Sequence, residues 1–174
     1  MFMRLGSRVT AIIALLIGSL VLCGPSTSQA QAKKGSLQYR GELNGDVFDE
    51  ASRNDREVVI KSSRGGSGAS ALALTRVKAV VIDGECLSAC AWAFVNSPTA
   101  CFTNRASFGF HASSDPGTGR RMPAATAYWL DTVRPALRPV LTSLGSSASV
   151  IYVNARQMKQ YYGDRACDAS SQTN

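Results

Sequence analysis

Two β-branched runs, Glu57-Val58-Val59-Ile60-Lys61 and Lys78-Ala79-Val80-Val81-Ile82, are each followed by a glycine-bearing turn and then by small, helix-forming residues. Short apolar runs of this kind, closed by glycine, read as buried strands. The first turn is Ser62-Ser63-Arg64-Gly65-Gly66-Ser67-Gly68, with a helix predicted over 69–77. The second is Gly84-Glu85-Cys86-Leu87-Ser88-Ala89-Cys90, where Gly84 is expected to end the strand and a helix to run over 89–95. Strand, turn, helix, strand is a βαβ unit, and its strands are parallel. The chain is therefore read as α/β, with a mainly parallel sheet.

The flanking segments extend this pattern. Residues 37–43 alternate as a strand ending near Asn44-Gly45, a turn signal, and 46–54 follow as a short helix. Ala106-Ser107-Phe108-Gly109-Phe110 is a small strand that ends on His111, the only histidine. Residues 113–123 read as an exposed loop. Residues 126–144 look helical but carry Pro135 and Pro139, which break or kink a helix. A final helix is expected around 155–162, stopped by Gly163.

The first 32 residues are read as a signal peptide. Arg4 and Arg8 precede an apolar stretch over 9–22, and Ala30-Gln31-Ala32 offers a cleavage site before Lys33-Lys34. The stretch is too short and wrongly flanked for a stable transmembrane helix, so any membrane attachment would come only from an uncleaved signal segment. Cys23 follows the bulky Leu22, which argues against a lipoprotein site. The mature chain is thus expected in the periplasm or outside the cell. It keeps Cys86, Cys90, Cys101 and Cys167, an even number in an oxidising compartment, which suggests two disulfides with three connectivities open. A bridge from Cys86 or Cys90 to Cys101 or Cys167 would pin the turn that carries Ser88. A zinc site from Cys86, Cys90 and His111 lacks paired ligand spacing, so no metal is expected.

The formal charge of +7 falls to +5 when Arg4 and Arg8 are set aside with the leader. The basic residues are scattered, and no basic run alternates with aromatics, which argues against nucleic acid as a partner.

Ser88 lies where a helix begins, beside unpaired backbone N–H groups and the positive dipole end. That setting can hold an oxyanion and present a serine nucleophile. The plainer alternative is that Ser88 only caps the helix. His111 follows it by 23 residues with one strand and turn between them, enough chain to bring the imidazole back toward the hydroxyl.

Three stretches in order then resemble the Clp-type peptidase and crotonase superfamily, most closely its exported bacterial branch with a C-x-S-A-C form. Val58 to Ser67 resembles the strand and S-x-G-G turn, GECLSAC the nucleophile turn, and Ala106 to His111 the strand ending on the catalytic histidine. The likeness covers roughly residues 37–165. It implies a single ClpP/crotonase-like domain with a spiral fold over 33–168, followed by a disordered tail over 169–174. It further implies Ser88 as nucleophile, His111 as general base, and an oxyanion hole from the backbone N–H groups of Gly66 and Ala89. A peptide or protein substrate is implied, without cofactor and, outside the cytoplasm, without ATP. Homo-oligomers are common in the superfamily.

One departure stands out. The family's aspartate precedes a helix that Asn154 to Gly163 resembles, and its position falls near Val150 or Ile151, neither of which can orient an imidazole. Asn154 or Asp164 could substitute, and the third member is left unknown. A serine–lysine pair using Lys61, Lys78 or Lys159 is the alternative base, with His111 preferred. Two functions remain in contention, an exported serine hydrolase and a catalytically weak or inactive binding or assembly module. An acyl-CoA enzyme is disfavoured, because that chemistry does not need a serine–histidine pair.

Overall fold

The computed structural model describes residues 35–145 and 149–167. The leader read over 1–32 and the tail read over 169–174 lie outside the described residues. The chain runs β1 (Leu37–Arg40), α1 (Gly45–Arg53), β2 (Val58–Ser63), α2 (Gly68–Thr75), β3 (Val80–Leu87) and α3 (Ala89–Asn96). It continues through β4 (Ala100–Phe102), β5 (Ser107–Phe110), α4 (Pro123–Thr132), α5 (Arg138–Leu141), β6 (Ile151–Asn154) and α6 (Ala155–Tyr162).

The strands form one sheet in the order β1-β2-β3-β5-β6, with β4 also paired to β3. β3 is long enough to serve two neighbours: Val80–Ile82 pairs with β4 and Glu85–Leu87 with β5. All these pairings are parallel, and only β6 runs antiparallel, against β5. The expected βαβ units are therefore present, and an antiparallel strand closes one edge.

Period-two alternation decides which side is core. Val58 and Ile60 on β2, with Val80 and Ile82 on β3, are fully or nearly fully buried in the cluster that includes α1, α2 and α3 residues. Lys61 and Asp83 have the opposite parity in their strands and form an ion pair there. Helix starts follow their capping chemistry. Asn44 Oδ1 accepts from the Asp46 N–H at 3.0 Å, and Ser67 Oγ accepts from the Ser70 N–H at 3.1 Å. Asn154 and Gln157 close a capping box at α6.

Gly84 does not end its strand, contrary to the reading from sequence. β3 passes through it to Leu87, and the register against β2 slips from Ile60↔Ile82 to Ser62↔Glu85. A Cβ at position 84 would stand 2.0 Å from the Lys61 carbonyl oxygen, so the glycine lets β2 approach at an irregularity. The helix read over 126–144 is two pieces. α4 begins earlier, with Pro123 in its first turn, and Pro135 lies in the link before α5.

The disulfides are Cys86–Cys90 and Cys101–Cys167. The turn around Ser88 is thus bridged within itself and not tied to Cys101 or Cys167, and the zinc alternative loses both its sulfurs to the first bridge. Two disulfides fit an oxidising compartment. Among the described residues, no helix is long and apolar enough to cross a membrane.

Candidate active site

Ser88 joins β3 to α3 with φ 55° and ψ −124°, one of two non-glycine residues at positive φ among those described. Its N–H donates to the Gly109 carbonyl at 2.7 Å, and its own carbonyl accepts from the Trp92 N–H at 3.1 Å. It occupies the N-cap position, yet its side chain makes no capping bond. The plainer cap role is therefore not what the hydroxyl does. The sharp turn leaves the Ala89 N–H, the first of α3, without a partner among the described residues, as expected for a helix N-terminus.

The glycine turn after β2 lies against this elbow. Gly65 has φ +99°, and a Cβ there would stand 2.6 Å from Ser88 Cβ and 2.9 Å from the Leu87 carbonyl oxygen. Only glycine permits both the conformation and the approach. The Gly65 carbonyl is taken by the Leu43 N–H at 2.6 Å, while the next amide, that of Gly66, donates to no described group.

His111 follows β5, whose pairing with β3 brings Leu87 opposite Gly109. The ring is partly buried, and Nδ1 lies 2.7 Å from the Ala112 carbonyl oxygen. A carbonyl can only accept, so Nδ1 carries a proton, and Nε2 is the ring nitrogen left to act as an acceptor.

Ser88, Ala89, Gly66 and His111 line one cleft of about 490 Å³. No hydrogen bond joins the Ser88 and His111 side chains among the described residues. The rest of the wall is largely apolar and includes Trp92, Met122 and Trp129. Trp92 and Trp129 stack with centroids 6.1 Å apart. Trp92 stands one helical turn after Ser88, a spacing visible in sequence; Trp129 and Met122 arrive from α4 and its approach, and no local signal marks them.

The alternatives for a third member are engaged elsewhere. Asn154 caps α6, and Asp164 pairs with Arg134 at 2.6 Å. The alternative lysines are likewise committed: Lys61 to Asp83, Lys78 to Asp55 and Lys159 to Asn104. None of the three lines the cleft. On the sheet's opposite face, burial raises the Asp83 carboxyl pKa, but Arg105, Lys61 and Thr103 outweigh it and hold the group well below the usual carboxylate range.

No sequence family and no curated protein matches the chain. Among solved structures, a ClpP1 variant from Listeria monocytogenes aligns at 13% identity and TM-score 0.45, covering 72% of this chain and 86% of that one. The 1510-N membrane-bound stomatin-specific protease, as a variant, aligns at 13% identity and TM-score 0.50, covering 73% of this chain and 75% of that one. Taken with the parallel sheet of βαβ units and the antiparallel closing strand, the second alignment places this chain in the ClpP/crotonase-like fold.

Proposed function

We propose that this chain is an exported serine hydrolase that cleaves peptides without ATP, with Ser88 as nucleophile and His111 as general base. The observation that carries the reading is that a positive-φ serine without a capping bond and an imidazole whose Nδ1 lies on a carbonyl line one cleft. Ser88 Oγ attacks the substrate carbonyl as His111 Nε2 takes its proton. The developing oxyanion receives the N–H groups of Gly66 and Ala89, both otherwise unpaired. Collapse of the tetrahedral species expels the amine, which takes the proton back from Nε2. Water then repeats the sequence on the acyl-enzyme.

The Ala112 carbonyl fills part of the role an aspartate would have. It selects the tautomer and holds the ring, but it brings no negative charge to stabilise the imidazolium. Loss of an orienting carboxylate can cost about 10⁴ in turnover, largely through the wrong tautomer. Here the tautomer is kept, so the expected deficit is smaller and the enzyme slow.

A fluorophosphonate probe tests this directly. Labelling is expected on the wild type and absent in Ser88→Ala, with His111→Ala slowed about 10²–10⁴-fold. A folded wild type that stays unlabelled removes the hydrolase reading. The uncharged partner of His111 favours the second reading, a binding module, and that result would select it.

A further inference from the structure

We propose that the Cys86–Cys90 disulfide is a positioning device for Ser88, a covalent staple that holds the serine in its positive-φ conformation and does little for the rest of the fold. The two cysteines lie four apart in sequence and their bridge spans only Leu87, Ser88 and Ala89. Both are fully buried, Cys86 at the end of β3 and Cys90 in the first turn of α3. A serine at φ 55° and ψ −124° relaxes toward the ordinary α or β regions unless its neighbours forbid it. On one side the Ser88 N–H is held by the Gly109 carbonyl, and on another Gly65 presses against Ser88 Cβ. Neither fixes the distance between the strand end and the helix start. The staple does, since relaxing φ at 88 would swing α3 relative to β3 and part the two Cα atoms now 5.2 Å apart.

The inference rests on the hydrolase reading for its labelling arm alone; its other arm is independent of catalysis. Three variants are compared by fluorophosphonate labelling and by amide hydrogen exchange at residues 87–92: Cys86→Ala/Cys90→Ala, the same pair combined with Ser88→Gly, and Cys101→Ala/Cys167→Ala as control. Removing the staple is expected to speed exchange of the Ser88 amide at least tenfold and to slow probe labelling at least tenfold. Exchange elsewhere in the sheet should stay near wild type. Glycine at 88 adopts positive φ freely, so adding it should restore slow exchange at residues 87–92. The control lowers global stability and speeds exchange across the whole sheet alike, so it should leave the labelling rate unchanged and show no extra speeding at 87–92 relative to the other strands. Equal exchange with and without the staple overturns the proposal. So does a stapleless chain that fails to fold even with glycine at 88, because the bridge would then serve the whole fold. If the wild type is never labelled, the hydrolase reading falls and the exchange arm still decides the staple.

Discussion

At the scale of single residues, the site depends on two backbone conformations that ordinary side chains avoid. Ser88 tolerates φ 55° because the groups around it over-determine its place, at a cost of about 1–3 kcal/mol. Gly65 supplies the clearance. Gly65→Ala would put a methyl 2.6 Å from Ser88 Cβ in a conformation alanine resists, so stability should fall by about 1–3 kcal/mol. Probe labelling should fall with it, as urea unfolding and labelling rates on the same sample would check. His111 shows how much a sequence can conceal. Its place after an apolar strand was legible, but its hydrogen-bond partner is a backbone carbonyl, which every residue carries and no side-chain motif announces. A search for an acidic side chain misses such a partner by construction.

At the scale of elements, the buried carboxylate on the back of the sheet joins segments far apart in sequence. Asp83 on β3 accepts from Lys61 on β2 at 2.5 Å, and from Thr103 and Arg105, between β4 and β5, at 2.6 Å each. Its folded pKa lies well below the ordinary value of about 4, so its contribution is complete at neutral pH and is lost as pH falls from that value toward the folded one. Asp83→Asn should therefore be less stable than wild type at pH 7, by about 1–3 kcal/mol, with the gap narrowing below about pH 4 in urea titrations at a series of pH values. A second link closes the end of α3. The Arg165 guanidinium lies 4.0 Å over the Phe94 ring and donates to the Phe94 carbonyl at 2.6 Å and the Ala100 carbonyl at 2.9 Å. Burial pulls its pKa down to about 10, so it stays charged at neutral pH. Arg165→Met would keep the stem's packing and lose these bonds, and should lower stability by about 2–4 kcal/mol in thermal or urea unfolding. The strands and helices themselves were largely visible as β-branched runs and glycine turns. Their ends were not, because Gly84 reads as a break in one dimension and is a point of close strand approach in three.

For the molecule as a whole, the two disulfides differ in reach. Cys101–Cys167 closes a separation of 66 residues and ties the segment that follows α6 to β4. In the chain-entropy account such a bridge contributes about 4 kcal/mol, and one spanning a few residues contributes much less. Cys101→Ala/Cys167→Ala should accordingly lose more global stability than Cys86→Ala/Cys90→Ala, read as the difference in urea midpoints. Short-range signals in the chain marked four of the six strands, the glycine turn at 65–66, the serine at a helix start and four cysteines beyond residue 32. Those follow from short-range sterics, side-chain periodicity and capping, all settled within a few residues. Only the folded arrangement sets which cysteines pair, commits Asn154 and Asp164 elsewhere, brings Trp129 and Met122 to the cleft wall and lays a carbonyl against the imidazole. Each of these depends on distances between segments remote in the chain, or on backbone groups that are chemically identical at every position, and so leaves no local trace to read.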